Sequence, residues 1–218
     1  MAAAARGSGK PGRDCPLCPR LVAFRDDWRK REPDWFNAPV PSFGPIEARL
    51  LIVGLAPGLR GANRTGRPFT GDYAGDLLYA TLKKFGFAKG DYAARPDDGL
   101  TLLDCRITNA VRCVPPENKP MPQEIATCRA FLAATVGEMT RLRAAIALGR
   151  VAHDTLVTAL SAKASAHAFA HGGEHVIGAV ALFDSYHCSR LNTSTGVLTP
   201  KMFRQIFARV RQHLEANP

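Results

Sequence analysis

Four of the six cysteines in this 218-residue sequence have a spacing that suggests a metal centre. Cys15 and Cys18 form a CxxC pair, whereas Cys113 and Cys128 are separated by fourteen residues that include a predicted helix start. Structural zinc sites normally use two tight pairs. One tight pair and two distant thiolates fit an iron–sulfur cluster at least as well. Zinc and unrelated core cysteines remain the alternatives, and we expect no disulfides because no secretory signal is evident.

The other two cysteines call for different interpretations. Cys105 lies in an apolar strand pattern, where a cysteine usually acts as a small buried hydrophobic residue. Cys188 follows His187 in a predicted loop. Adjacency in sequence is no evidence for a catalytic Cys–His pair, so a cysteine nucleophile is the weaker hypothesis.

A second stretch that suggests chemistry is residues 51–72, LIVGLAPGLRGANRTGRPFTGD. An apolar run ends in a turn of small residues, which would let the backbone approach a ligand closely. Three arginines follow, which favours an anionic ligand. The stretch lacks the Lys-Ser/Thr pair of a nucleotide-binding loop, and its one acid, Asp72, stands at the far end.

Alternating strands and helices are predicted to position these residues. Apolar runs predict strands at 50–53, 102–109, 144–148 and 180–184. Helical periodicity predicts helices at 14–30, 75–85, 122–136, 151–160 and 200–214. This alternation indicates an α/β fold with a parallel sheet covered on both faces. Ligands of such sheets bind at the carboxyl ends of the strands, so loops 54–72, 109–122 and 185–196 should meet there.

Composition narrows the class of partner. The formal net charge is +10, from 29 Lys and Arg against 19 Asp and Glu, which favours a polyanionic partner, most simply a nucleic acid. On charge alone, a basic surface that serves only solubility is an equal alternative. No run of eighteen apolar residues predicts a membrane span. Residues 1–13 are small and basic without the apolar core of a signal peptide, so we expect a disordered tail followed by a single domain at 14–218.

Four motifs in combination resemble the uracil-DNA glycosylase superfamily and, within it, the fifth family (type B, iron–sulfur cluster-containing). They are CPLCPRL, GLAPG with GANRTGRPFTGD, AVRCVPPENKP with the later Cys128, and SYHCSRLNT. The resemblance covers about Cys15 to Phe207. It implies a three-layer α/β fold with a central four-stranded parallel sheet flanked by helices. It also implies one 4Fe–4S cluster with a structural role, held by Cys15, Cys18, Cys113 and Cys128.

The activity implied is excision of uracil from DNA, and of other deaminated bases such as hypoxanthine or xanthine, to leave an abasic site for base excision repair. A monomer in the bacterial cytosol that binds damaged DNA is expected. Two departures stand out. Leu55 occupies the position of the fourth family's catalytic acid, and Cys188 replaces the superfamily's usual proline, which would fix φ in that loop.

The resemblance implies two catalytic residues. His187 would hydrogen-bond the O2 of the leaving base, and this bond strengthens as negative charge develops there. Asp72 would place the attacking water or oppose the cationic sugar. Asp72 also suits the N-cap of the following helix, and both roles can hold at once. Asp76 is the rival acid.

The remaining site residues form the base pocket and the DNA surface. Phe69 would stack on the base, and either Asn118 or Asn109 would read its identity. The backbone of the turn that contains Gly54, Leu55, Ala56 and Gly58 would line the pocket. The residues expected to contact DNA, with Leu191 as a wedge, are Arg60, Arg64, Arg67, Lys119, Ser189, Arg190, Leu191 and Asn192. Arg112 and Lys201 are further candidates for phosphate contacts.

Three interpretations compete with this resemblance. His167, His171 and His175 could suggest a metal site, but Gly172 and Gly173 interrupt the helix that would align them, so a structural loop is preferred. For the whole chain, the alternatives are an iron–sulfur redox or electron-transfer protein and a noncatalytic zinc module that binds nucleic acid.

Overall fold

A central sheet organises the structure, a computed structural model that describes residues 9–218. Its strands are β1 (Leu50–Gly54), β4 (Cys105–Asn109), β5 (Ala144–Leu148), β6 (Glu174–Ile177) and β7 (Val180–Ser185). They lie in the order β4-β1-β5-β7-β6. Two short strands, β2 (Ala88–Lys89) and β3 (Thr101–Leu102), form a separate antiparallel pair.

Helices surround this sheet. They are α1 (Pro19–Arg31), α2 (Ala62–Thr65), α3 (Tyr73–Lys84), α4 (Pro122–Glu138), α5 (Arg150–Ala159), α6 (Arg190–Ser194) and α7 (Pro200–Ala216). Short 3-10 turns cover Pro116–Asn118 and Ala164–Ala166. Within residues 9–218, none of the helices combines the length and the apolar composition that crossing a bilayer requires.

The predicted parallel sheet is confirmed, and it carries one strand more than expected. β4, β1, β5 and β7 pair in parallel, whereas β6 pairs antiparallel with β7 from Glu174↔Phe183 to Ile177↔Val180. The sequence indicated a loop here because only Ile177 of the four β6 residues is buried. A short, half-exposed edge strand lacks the apolar run that identifies a buried one.

The strand predicted at 102–109 is also divided. Asp104 interrupts it with a left-handed φ of 51°. Its carboxylate accepts hydrogen bonds from the backbone N–H and the Nε of Arg49, at 2.7 and 2.8 Å. Asp favours such local bonds over a regular ladder, so β3 ends before Asp104 and β4 begins after it.

The sheet is buried on both faces, which confirms the three-layer arrangement. Alternate residues of β1 point to opposite sides. Leu50 and Ile52 pack in a cluster with residues of α3 and α7, whereas Leu51 and Val53 pack with residues of α4 and α5. Every residue of β1, β4, β5 and β7 is buried.

The predicted N-terminal tail lies mostly outside the described residues, which begin at 9. Close to its end, the Arg13 guanidinium lies 5.6 Å from the Phe36 ring centroid, and the Arg13 carbonyl accepts a hydrogen bond from Arg29. These contacts tie the segment before Cys15 to α1 and to the loop that follows it.

Candidate active site

A cleft of about 1190 Å³ opens at the carboxyl ends of the parallel strands. Its walls come from the loops that follow β1, β4 and β7, the three loops that the sequence predicted to meet. The predicted residues that line it are Leu55, Ala56, Gly58, Arg60, Arg64, Phe69, Asp72, Asn109, Asn118, Lys119, His187, Ser189, Arg190 and Leu191.

Two rings form one wall of the cleft. The Phe69 and His187 ring centroids are 5.9 Å apart, with an angle of 26° between the planes. Gly54 makes this possible, because a Cβ there would lie 2.5 Å from Phe69 Cζ and 2.5 Å from Asn109 Oδ1. The last residue of β1 therefore has no side chain, and both neighbours lie directly against its backbone.

Asp72 is the N-cap of α3, as the sequence suggested. Its Oδ1 accepts the backbone N–H of Gly75 at 3.1 Å. Its Oδ2 lies so close to the turn after β1 that a Cβ at Gly61 would stand 2.5 Å from it. Burial raises the pKa of Asp72, and the charge of Asp76 on the next turn raises it further. One carboxylate oxygen thus caps the helix while the other lies in the cleft.

His187 is held in place through its backbone. The side-chain amide of Asn192 donates to the His187 carbonyl at 2.8 Å, and Ser189 caps α6. Burial among protein atoms lowers the pKa of His187 to about 4. The imidazole is therefore neutral at pH 7 and can donate one N–H.

Cys188 does not form a nucleophile with this histidine. Its side chain is fully buried, away from the cleft, and its thiol donates to the Ala74 carbonyl at 3.5 Å. Burial raises the pKa of the Cys188 thiol, which disfavours the reactive thiolate. The residue in place of the usual proline thus packs the loop against α3.

The two candidate asparagines occupy different depths. Asn109 is only 3% exposed, and its Oδ1 has no hydrogen-bond partner among residues 9–218. An unpaired buried acceptor is costly unless a ligand satisfies it. Asn118 is exposed at the mouth, on a turn where Glu117 and Asn118 both have left-handed φ values, 54° and 56°.

Four of the predicted cationic residues, Arg60, Arg64, Lys119 and Arg190, are exposed around the cleft. Leu191 projects from the rim with 71% of its surface exposed.

Tyr73, which the sequence did not single out, is an exposed ring at the same rim, and the Arg190 guanidinium lies 5.6 Å from its centroid. Its position next to Asp72 at a helix start was the one available signal.

Two predicted phosphate ligands are wrong, and a third plays a different part. Arg67 is 5% exposed and binds Asp98 through both terminal nitrogens. Arg112 is also buried, with hydrogen bonds to the Ser42 and Thr135 hydroxyls at 2.8 and 3.0 Å. Burial removes both from any DNA surface. Asn192 supports the His187 carbonyl, and it is absent from the cleft lining.

The four spaced cysteines converge on one small cavity, beside Leu21, Val111 and Phe131. All four are free thiols. Burial and the proximity of Cys128 raise the pKa of Cys18 to about 11 and that of Cys113 to about 12. The backbone N–H of Arg112 donates to Cys128 Sγ at 3.3 Å. In the described part of the chain, no three of these sulfurs lie within 4.8 Å of one another.

A separate group of His153, His175 and Asp184 does meet that distance. His153 Nδ1 lies 2.7 Å from Asp184 Oδ1, and His175 Nε2 lies 3.1 Å from Asp184 Oδ2. The other His153 nitrogen faces the His167 carbonyl at 2.7 Å. These are hydrogen-bond distances, so the network supports the structural interpretation of the histidine loop.

Comparison with known proteins identifies the family that this chain resembles. The model of the uracil DNA glycosylase superfamily matches residues 41–211. A type-5 uracil-DNA glycosylase of Thermus thermophilus is 44% identical over 91% of this chain and 93% of its own. Those of Pyrobaculum aerophilum and Mycobacterium bovis are 38% and 41% identical, over 90% and 91% of this chain and 87% and 77% of their own. A type-4 uracil-DNA glycosylase of Pyrobaculum aerophilum is 33% identical over 57% of this chain.

The match extends through all three loops of the cleft and through β1, β4, β5 and β7, which form the parallel part of the sheet. This chain therefore belongs to the uracil DNA glycosylase superfamily and, within it, to the type-5 uracil-DNA glycosylases.

Proposed function

We propose that this protein removes uracil from DNA by hydrolysing the N-glycosidic bond, which leaves an abasic site. One observation carries the proposal. The Phe69–His187 ring pair and the unpaired Oδ1 of buried Asn109 line the same cleft. A stacking face, a hydrogen-bond donor and an amide are together what an extruded uracil requires. Membership of the family adds independent support.

The base must leave the helical stack before it can enter the cleft. Unstacking and unpairing cost a few kcal/mol, which contacts in the pocket repay. Exposed Leu191 at the rim is the residue suited to fill the vacated space. The exposed cations Arg60, Arg64, Lys119 and Arg190 contact phosphates and fix the DNA over the cleft.

Within the pocket, an amide discriminates uracil by matching its donor and acceptor groups. Asn109 Oδ1 accepts the N3–H of uracil, while its amide nitrogen donates to O4. Phe69 stacks on the ring from the side of β1. Asn118 lies at the mouth, where it contacts the nucleotide as it enters.

Bond cleavage makes the sugar cationic and the base anionic, as in other glycoside hydrolyses. The neutral imidazole of His187 donates its N–H to O2 of the departing base. The ionised carboxylate of Asp72 orients a water molecule toward C1′. It accepts a proton from this water as the water oxygen bonds to C1′. The C1′–N1 bond electrons leave with the base.

Leu55 bears on the range of bases removed. It lines the cleft at the first turn, where it supplies an apolar surface and no carboxylate. A pocket that does not depend on an acid at this point admits larger deaminated bases, and hypoxanthine and xanthine are the proposed additional substrates.

The converging cysteines are proposed to hold a 4Fe–4S cluster. A tetrahedral zinc ion with bonds of about 2.3 Å would bring every pair of sulfurs within about 3.8 Å. Among the described residues no three of these Sγ atoms lie within 4.8 Å of one another, which supports the wider ligand set of a larger cluster. When bound, the cluster supplies a covalent link between the start of α1 and the 113–128 segment. Cys128 Sγ also receives the Arg112 N–H, a contact typical of cluster sulfurs.

The experiment incubates the purified protein with oligonucleotides that contain uracil opposite guanine, opposite adenine or in a single strand. Parallel samples contain hypoxanthine or xanthine. We expect alkali-labile abasic sites in the uracil samples, and four iron atoms per chain in the protein. Intact uracil DNA with a fully loaded cluster would contradict the function. A colourless protein with one zinc would contradict the cluster while leaving the function open to the same assay.

A further inference from the structure

Phe69 adopts a backbone conformation that large side chains rarely accept. Its φ is 53°, in the left-handed region, although the residue is not glycine. Such strain persists only where the surrounding structure enforces it, and it concentrates at functional sites. The contacts that enforce it are therefore informative about the pocket.

Two tyrosine hydroxyls bind the backbone carbonyls on either side of the strained φ angle of Phe69. Tyr79 donates to the Pro68 carbonyl at 2.6 Å, and Tyr92 donates to the Phe69 carbonyl at 3.2 Å. The two rings stack on each other, with centroids 4.6 Å apart. The backbone at 68–69 is thus held by side chains from α3 and from the loop after β2.

Arg67 joins these rings to a buried ion pair. Its Nη atoms bind the two oxygens of Asp98 at 2.8 and 2.7 Å, and its Nε donates to the Thr70 hydroxyl at 2.8 Å. The guanidinium lies 5.5 Å from the Tyr79 ring centroid and 5.8 Å from that of Tyr92. This arginine therefore joins two segments, because its Nε binds Thr70 in the loop that carries Phe69 and its Nη atoms bind Asp98.

Asp98 is in turn fixed by backbone groups. The N–H groups of Ala93 and Leu100 donate to its carboxylate at 2.9 and 3.1 Å. The hydrogen bonds from Arg67 hold the pKa of Asp98 well below its usual range. The pair therefore stays charged throughout the neutral pH range.

The same group of side chains contacts the N-terminus of α3, where Asp72 is the N-cap. A Cβ at Gly75 would lie 1.9 Å from the Phe69 carbonyl oxygen and 2.5 Å from the Tyr92 hydroxyl. The Gly75 N–H is also the group that Asp72 binds. One glycine thus contacts both the residue proposed to stack on the base and the residue proposed to orient water.

We propose that Arg67, Asp98, Tyr79 and Tyr92 form a platform clamp whose function is to position Phe69 for excision. The clamp holds the Phe69 ring beside His187 and fixes the distance between this ring and Asp72. Its members are positioning residues, since none of them lines the cleft. This inference rests on the proposed function, because it assigns the clamp to the base pocket of that reaction.

The most selective test removes a single hydrogen bond. Tyr92→Phe keeps the ring stacking and loses only the hydroxyl that binds the Phe69 carbonyl. Misplaced reacting groups slow the chemical step, so we expect the single-turnover rate on uracil DNA to fall about tenfold. DNA affinity should change less than about twofold, because the cations that contact phosphate lie elsewhere.

Asp98→Asn is the second variant, and Asp97→Asn is its matched control. Asp97 is an exposed neighbour whose ion pair with Arg95 lies on the surface. Asp98→Asn should slow excision at least as much as Tyr92→Phe does, whereas Asp97→Asn should leave both rate and affinity unchanged. Equal rates for Asp98→Asn and Asp97→Asn would overturn the proposal.

A double-mutant cycle separates positioning from general destabilisation. If the clamp acts through Phe69, Tyr92→Phe should cause no further slowing in a Phe69→Leu background. Multiplicative effects of the two changes would show that Tyr92 acts independently of Phe69, which contradicts the clamp.

Amide hydrogen exchange gives a readout that needs no activity. In Tyr92→Phe, peptides that cover residues 66–75 should exchange faster than in the unmodified protein, and peptides from β5 and β7 should not change. Unchanged exchange at 66–75 would overturn the clamp even if uracil is excised. Faster exchange in a protein that excises no uracil would show that Tyr92 holds this segment, while refuting the proposed function and with it the role of the clamp in excision.

Discussion

At the scale of single residues, burial acts on His187 and Asp72 with different consequences. It lowers the pKa of His187 to about 4, so the imidazole remains a neutral donor across the neutral range. It raises the pKa of Asp72, and Asp76 adds to that rise. Orienting water requires the ionised carboxylate. The acid limb of the pH–rate profile therefore belongs to Asp72, with its midpoint above the ordinary value for aspartate.

Asp76→Asn tests this assignment. Removing a negative neighbour lowers the pKa of Asp72, so the variant should keep its relative rate to a lower pH than the unmodified protein does. Single-turnover rates between pH 4 and 8, in about unit steps, measure the midpoint. Asp91→Asn, a change at an exposed residue that pairs with Lys83, is the control. A midpoint that stays in place or rises would assign the limb to another group.

At the scale of elements, the site depends on three loops that follow parallel strands. The pocket depends on Gly54 at the end of β1, because Phe69 and Asn109 both occupy the space that a side chain there would need. The positions of these loops could be predicted, since apolar runs and small turn residues mark where buried strands end. The edge strand β6 could not, because only one of its four residues is buried and it lacks the apolar run that marks a buried strand.

Gly54→Ala should reduce excision sharply while the protein still folds. The added methyl would displace Phe69 or Asn109, and a misplacement of about 1 Å can cost about a hundredfold in rate. Gly137→Ala is the matched control, since its Cβ would enter open space on α4. That control should keep the full rate and a Tm at least as high. Normal excision by Gly54→Ala would show that the pocket lies elsewhere.

Two arginines, Arg67 and Arg112, were wrongly predicted to contact phosphate, because their partners lie on other elements of the fold. Arg67 stands in the same loop as Arg60 and Arg64, and Arg112 in the same loop as Lys119, so sequence proximity suggested a shared surface. The partner of Arg67 is Asp98, thirty-one residues away, and that of Arg112 is Ser42, seventy residues away. A linear sequence does not reveal such pairs, whereas the motifs that carry Asp72 and His187 are local and were recognisable.

At the scale of the whole molecule, two centres share one framework. The cleft lies at the carboxyl ends of the strands, and the cysteine cavity lies between α1 and the 113–128 segment. Arg20 on α1 bridges the two regions, with hydrogen bonds to Glu124 of α4 at 2.7 Å and to the Lys119 carbonyl at 3.0 Å. The proposed cluster is therefore expected to stabilise the loop that carries Asn118.

Cys15→Ser tests that structural role. Loss of one ligand should lower the iron content and reduce Tm, because a bound group stabilises the folded state that holds it. Cys105→Ala is the control, since Cys105 is buried outside the cavity and its replacement should leave iron content unchanged. Full iron loading in Cys15→Ser would remove Cys15 from the ligand set.

The most direct test of uracil excision and of its two catalytic residues compares the unmodified protein with Asp72→Asn and His187→Ala in single-turnover excision of uracil from a DNA duplex. Asparagine caps a helix as well as aspartate does, so Asp72→Asn should keep its Tm and lose only the carboxylate. We expect alkali-labile abasic sites with the unmodified protein and rates at least about tenfold lower in each variant. Undiminished excision in either variant would contradict the assignment of that residue, and its absence in the unmodified protein would contradict the function.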